Sequence, residues 1–132
     1  MRIAVDTNIL LRFLLADDPD QHRIASRLLE EADAVIVPMV ALCEAVWVLS
    51  RTYRLSRSEI GEMIRALVEA ETIECDMDLV QTGLATLEAG GDFADGVIAR
   101  QGQFKRADVF VSFDRKAVRQ MNRIGIEART PA

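Results

Sequence analysis

Histidine and cysteine are scarce in this chain of 132 residues, which contains one histidine, His22, and two cysteines, Cys43 and Cys75. This scarcity excludes a zinc site built from several histidine and cysteine ligands. Both cysteines lie in apolar stretches without the spacing of a disulfide framework, so we predict that they are reduced core thiols. His22 lies in a polar segment and is predicted to be a surface residue, which makes it a poor candidate for a catalytic base.

Long apolar runs are also missing. No run approaches the roughly 20 residues that span a bilayer, and the N-terminus lacks the layout of a signal peptide. We therefore expect a cytoplasmic protein without a membrane partner. Hydrophobic residues make up 50% of the sequence, which fits one compact domain over residues 1–132 with its own core.

Charge is unevenly distributed along the chain, although the net charge is -5. Residues 1–99 contain 8 Arg or Lys and 18 Asp or Glu, whereas residues 100–132 contain 8 and 3. This basic segment either tracks a phosphate backbone or forms a solvated basic face, and the sequence leaves both readings open. Its cations are Arg100, Lys105, Arg106, Arg115, Lys116, Arg119, Arg123 and Arg129.

Predicted strands alternate with predicted helices, which indicates an α/β domain with a largely parallel sheet. The strands are expected at residues 2–5, 34–37, 72–75 and 109–112. Helices are expected at 9–15, from about 19 to 31, at 40–54, after the capping box of Ser56 and Glu59, and at 79–88, 93–104 and 115–121. The helix at 40–54 is apolar at nearly every position, so it is either buried on most of its circumference or shared with a partner subunit.

Two aspartates directly follow predicted strands. Asp6 comes after the run Arg2-Ile3-Ala4-Val5, and Asp114 comes after Val109-Phe110-Val111-Ser112-Phe113. The carboxyl ends of parallel strands are where α/β sheets bind ligands, so both acids are candidate site residues. Asp114 is equally placed to be the N-cap of the following helix, and the two roles are compatible.

Two further acids stand out by their surroundings. Glu44 is the only charge between Val40 and Leu49, so we expect it to face a site, with a narrow exposed strip of the helix as the alternative. Asp95 lies in the predicted first turn of a helix capped by Asp92, where a carboxylate also complements the helix dipole. We expect Ala94 and Gly96 to leave space beside Asp95.

Several carboxylates at one sheet edge would repel each other unless a cation compensates them. An all-oxygen ligand set favours Mg²⁺ or Mn²⁺. Such a site suits phosphodiester hydrolysis by water, which leaves a 5′-phosphate and a 3′-hydroxyl. Short polar side chains at Thr7, Asn8 and Ser112 are expected to support the acids.

Taken in order, Val5-Asp6-Thr7-Asn8, Glu44 with Val46-Trp47-Val48-Leu49, Asp92-Phe93-Ala94-Asp95 and Val111-Ser112-Phe113-Asp114-Arg115 resemble a PIN-domain ribonuclease over the whole chain. The compact size is similar to that of the VapC toxins of VapBC toxin–antitoxin systems. The resemblance implies a single PIN-like domain, an α/β/α sandwich with a largely parallel central sheet.

That resemblance also implies a function. It implies a Mg²⁺- or Mn²⁺-dependent endoribonuclease, the toxin of a type II toxin–antitoxin system, that is a homodimer and is inhibited by a VapB-like antitoxin. Carried over by position, the implied metal-site and catalytic residues are Asp6, Glu44, Asp95 and Asp114, with Thr7, Asn8 and Ser112 as supporting groups.

Other classes fit the sequence less well. A haloacid dehalogenase phosphatase needs a second aspartate two residues after the first, where this chain has Asn8. A receiver domain needs adjacent acids near the first strand and a suitably placed lysine. The remaining alternative is a catalytically weak PIN-fold binding or scaffold module, although a scaffold has no evident need for several unpaired acids.

Overall fold

The structure is a computed structural model that describes residues 1–131. These residues form two compact units that divide between Asp76 and Met77. We call them the N-terminal unit and the C-terminal unit, and each is described by itself.

The N-terminal unit carries three parallel strands in the order β1-β2-β3. Ile3 of β1 pairs with Val35 of β2, which in turn pairs with Ile73 of β3. Val35 is fully buried, and its strand has a neighbour on both sides. The elements are β1 (Arg2–Ala4), α1 (Thr7–Leu14), α2 (Pro19–Glu31), β2 (Ala34–Ile36), α3 (Met39–Arg51), α4 (Arg57–Glu69) and β3 (Ile73–Glu74).

Local signals in the sequence define the helix starts of this unit. Asp18 caps α2, with Pro19 at the first helical position, where its missing N–H costs nothing. Ser56 and Glu59 form the expected capping box at α4, each accepting a hydrogen bond from the other's backbone N–H. The apolar faces of the helices supply the core, whose most buried members include Leu10, Leu42, Leu49, Ile60 and Ile64.

The C-terminal unit carries one pair of parallel strands and three helices among its described residues. Phe110 pairs with Ala128, and Val111 with Arg129. A small core of Ala99, Met121 and Ile126 lies under these strands. The elements are α5 (Met77–Glu88), α6 (Phe93–Phe104), β4 (Phe110–Val111), α7 (Arg115–Arg123) and β5 (Ala128–Arg129).

Two glycines allow α5 and α6 to approach closely. A Cβ at Gly83 would lie 2.6 Å from the Phe93 ring, and one at Gly96 would lie 2.9 Å from the carbonyl oxygen of Thr82 and in collision with the Thr86 hydroxyl. The missing side chain of Gly96 thus makes room for Thr86 of α5. The expected space beside Asp95 stays a prediction.

The α/β class and the parallel pairing of the strands are confirmed. Three details differ from expectation. The first helix begins at Thr7 rather than at residue 9, the paired strands lie in two sheets, and β5 was not predicted. Among residues 1–131, no helix combines the length and apolar content needed to cross a membrane.

Candidate functional site

Asp95 is the acid whose surroundings differ most from those of a surface carboxylate. It lies in the first turn of α6 and is partly buried. Within residues 77–131 its side chain makes no hydrogen bond or ion pair. Burial, followed by the negative charges of Asp92 and Asp114, raises the pKa of Asp95 above the ordinary aspartate value. We call Asp92, Asp95 and Asp114 the acidic group.

Asp92 and Asp114 are held by helix N-termini. The Asp92 carboxylate accepts a hydrogen bond of 2.7 Å from the Ala94 N–H and caps α6. One Asp114 oxygen, Oδ1, accepts bonds of 2.9 Å and 3.2 Å from the N–H groups of Lys116 and Ala117 and caps α7. The expected cap at Asp114 is thus present, and its Oδ2 receives no bond from residues 77–131.

Ser112 supports the turn that precedes this cap. Its hydroxyl oxygen accepts a 3.0 Å hydrogen bond from the Asp114 N–H, while its own N–H donates to the Arg129 carbonyl at 3.2 Å. Because β4 ends at Val111, these two bonds fix the chain between the strand and the Asp114 carboxylate. Ser112 therefore positions Asp114 through the backbone.

Asp6 has the same arrangement in the N-terminal unit. It follows buried Val5, and its Oδ1 accepts a 3.0 Å hydrogen bond from the Ile9 N–H, which caps α1. Asp6 is exposed, and within residues 1–76 its second oxygen has no protein donor. Thr7 and Asn8 form the start of the helix beside it.

Glu44 lies on the exposed face of α3, between buried Leu42 and Ala45. Val40 and Trp47 share that face and are 78% and 56% exposed. Within residues 1–76 Glu44 forms no ion pair or side-chain hydrogen bond. This geometry matches the narrow exposed strip that was the alternative for Glu44, and its role in a site stays a prediction.

Histidine and cysteine do not contribute to these groups. The Nδ1 atom of His22 is 3.0 Å from the Arg12 carbonyl oxygen, and its ring stacks on Phe13, so it is more enclosed than a surface residue. Cys43 and Cys75 form no disulfide and are partly buried, and burial raises the pKa of the Cys75 thiol.

The donor chemistry of the acidic group fits a hard divalent cation. Its donors are all oxygen, and burial followed by two neighbouring carboxylates raises the pKa of Asp95, an effect that a bound cation would oppose. Among the described residues, however, no three His, Cys, Asp or Glu side chains are close enough together to hold a metal ion. The acids thus suit Mg²⁺ or Mn²⁺ by chemistry, without forming a preassembled cage.

Sequence reasoning missed two features of this region. Asp92 was assigned only a capping role, although its spacing of three residues from Asp95 already placed both acids on one helix face. Gln120 is 9% exposed, and its Oε1 has no partner among the described residues. It packs under Gly90 and Gly91, the turn that leads to Asp92.

Comparison with known protein families matches residues 3–123 to the PIN domain. The chain belongs to the PIN domain family. The match includes the positions of Asp6, Glu44, Asp95 and Asp114, and PIN domains are generally nucleases that act on nucleic acid. A search of curated proteins gave no match to this PIN domain.

Proposed function

We propose that this PIN domain is a Mg²⁺- or Mn²⁺-dependent endoribonuclease and the toxin of a type II toxin–antitoxin system. Family membership supports the nuclease part. The observation that carries the metal dependence is Asp95, a partly buried carboxylate without a partner in its unit and with a raised pKa beside two other acids.

The proposed metal-site and catalytic residues are those implied by the sequence: Asp6, Glu44, Asp95 and Asp114. Asp6 and Asp114 support this role because each uses one oxygen as a helix cap and keeps the other without a protein donor in its own unit. Thr7, Asn8 and Ser112 would support the acids. A bound ion would lower the pKa of water and neutralise charge on the departing oxygen.

The proposed reaction is hydrolysis of an RNA phosphodiester. The water oxygen bonds to phosphorus, the bond from phosphorus to the 3′ oxygen breaks, and that oxygen takes up a proton. The products are a 5′-phosphate and a 3′-hydroxyl. In this proposal, no residue other than the carboxylates has a role as a base.

We further propose a homodimer and a VapB-like antitoxin as partners. The exposed apolar side chains of α3, Val40 and Trp47, support a protein contact on that face. Co-expression of the chain with its neighbouring gene product should yield a complex. Recovery of the chain alone at the mass of a monomer would contradict both the homodimer and the complex with an antitoxin.

The second candidate is a catalytically weak binding or scaffold module. It is favoured by one observation, the absence of a ready three-acid metal cluster among residues 1–131. The two candidates differ in their response to metal, so one set of measurements separates them.

The test uses the purified chain, free of partners, with 3′-labelled structured RNA and Mg²⁺, Mn²⁺ or EDTA. We expect cleavage with either metal, 5′-phosphate ends, and a rise in melting temperature on addition of Mn²⁺, since an ion bound only by the native state stabilises it. Asp95→Asn should lose both cleavage and the Mn²⁺ effect.

Asp108→Asn is the matched control. Asp108 is an exposed acid of the same unit and makes no ion pair or side-chain hydrogen bond within residues 77–131. The control should cut RNA as the parent does. If the parent neither cuts RNA nor gains stability with Mn²⁺, the scaffold reading replaces the nuclease.

A further inference from the structure

Helix α7 has one buried face and one cationic face. Ala117, Gln120 and Met121 are buried. The exposed side carries four cations that lie within about 100° of the helix circumference, because each residue advances the helix by about that angle. We call them the basic strip: Arg115, Lys116, Arg119 and Arg123.

The cations of the basic segment differ in whether they contact other side chains. Arg100 is committed to protein contacts, since its guanidinium bonds both Asp78 oxygens at 3.0 Å and 3.1 Å and lies 4.7 Å from the centre of the Phe104 ring. Within residues 77–131, none of the four basic-strip side chains forms an ion pair or a hydrogen bond. Their full charge is available to a ligand.

The spacing along the strip suits a polyanion with a regular repeat. Arg115, Arg119 and Arg123 are each four residues apart, which places successive side chains about 6 Å apart along the helix axis. This interval is comparable to the separation of successive phosphates in a nucleic acid strand. Arginine also suits phosphate because its planar guanidinium donates two parallel hydrogen bonds.

The strip is continuous with the acidic group. Asp114 is the N-cap of α7 and the residue directly before Arg115, so the cationic face begins where the proposed reaction site lies. We propose that a single RNA strand lies along α7, with consecutive phosphates on Arg115, Arg119 and Arg123 and the cleaved bond at the Asp114 end. This placement rests on the proposed function, since it names how the substrate of that site is held.

An acidic protein segment is the competing occupant. RNA is favoured because the strip leads directly to three carboxylates, which suit a strand that is cut with a bound cation. A regular row of guanidinium groups also matches a repeating phosphate backbone better than an irregular set of side chains.

The experiment measures binding apart from cleavage. The protein is the full chain carrying Asp95→Asn, in EDTA, and the probe is a fluorescent 12-nucleotide single-stranded RNA followed by anisotropy from 50 to 300 mM KCl. The strip variant adds Arg115→Gln, Arg119→Gln and Arg123→Gln. The matched control adds Lys105→Gln, Arg106→Gln and Arg129→Gln, which removes three charges of the same basic segment that are not part of α7.

We expect the strip variant to lose about 2 units from the slope of log K against log[salt], because each phosphate contact on a single strand contributes about 0.7. Affinity at 0.1 M salt should fall about 100-fold by the same counterion-release relation. The control should keep the parent's slope. Unchanged melting temperatures would show that both variants are folded.

Three results would overturn the proposal. They are an unchanged slope in the strip variant, an equal loss in the control, and strip-dependent binding of a glutamate-rich peptide without strip-dependent binding of RNA. Binding in EDTA does not require turnover. A chain that binds RNA through α7 but never cuts it would therefore refute the nuclease and leave the strip assignment standing.

Discussion

The contact between α5 and α6 makes a sharp prediction at Gly96. The Gly96→Ala variant places a Cβ 2.9 Å from the Thr82 carbonyl oxygen and in collision with the Thr86 side chain. A backbone oxygen cannot rotate away, so α6 must move off α5. Gly102→Ala in the same helix is the matched control, because its new Cβ would meet only the Ala107 Cβ at an ordinary 3.6 Å.

The magnitude follows from the difference between the two variants. Both replace a helical glycine by alanine, which favours the helix by about 1 kcal/mol. Because this gain is common to both variants, the difference between their free energies of unfolding gives the cost of overpacking, which is about 1–3 kcal/mol for an added methyl group. For a chain of this length, the two melting temperatures should differ by about 4–12 °C.

Thermal and urea unfolding followed by circular dichroism measure this difference. Gly102→Ala should unfold at or slightly above the parent, and Gly96→Ala clearly below it. Because Asp95 precedes Gly96, the displaced helix should also weaken Mn²⁺ stabilisation in Gly96→Ala alone. Equal stability of the two variants would refute the close packing of α6 on α5.

Two further predictions concern the acids themselves. Asp95→Asn should stabilise the metal-free protein at pH 7, because an acid whose pKa is raised in the folded state disfavours folding when the pH is above that pKa. Unfolding in urea at several pH values measures the difference in stability between this variant and the parent. That difference should disappear as the pH falls below 3.8, the ordinary pKa of this side chain. A difference in stability between variant and parent that stays constant from pH 3 to 7 would show that the raised pKa is not its cause. Asp114→Ala removes the cap of α7 and should lower the free energy of unfolding by about 1 kcal/mol, whereas Asp114→Asn should keep the cap. Both variants should lose RNA cleavage. Equal urea midpoints for these two variants would argue against the cap.

Local sequence signals predicted most elements of this fold. The β-branched runs at β1 and β2 and the capping box of α4 are local, so they can be read from neighbouring residues. The strand β5 could not be read in this way. Ala128–Arg129 is short and lacks a β pattern, and its placement depends on Asn122, whose amide bonds the Ala128 carbonyl at 3.0 Å and accepts from the Ala128 N–H at 2.9 Å.

The candidate site, like the fold, was only partly predictable from local sequence. The acids could be selected from the sequence because charges beside apolar runs are unusual, but their partners could not. The space beside Gly96 is filled by Thr86 from another helix, and the burial of Gln120 under the Gly90-Gly91 turn depends on how α7 packs. Both are tertiary contacts, for which spacing along the chain carries no signal.

Helix caps explain how so many acids can be tolerated. Asp6, Asp92 and Asp114 each accept a backbone N–H at a helix start, where the helix dipole also favours negative charge. The capping bonds use Oδ1 in all three and leave the other oxygen for a ligand. Each of these residues can therefore cap a helix and bind a ligand at the same time.

Asp95 lacks this compensation. It lies in a first turn but accepts no hydrogen bond within residues 77–131, and its burial, followed by the two neighbouring carboxylates, raises its pKa. A purely structural acid at this position would be replaced by asparagine at a gain in stability. A bound cation would offset the cost of this charge, which is why an ion at Asp95 is the decisive element of the proposed function.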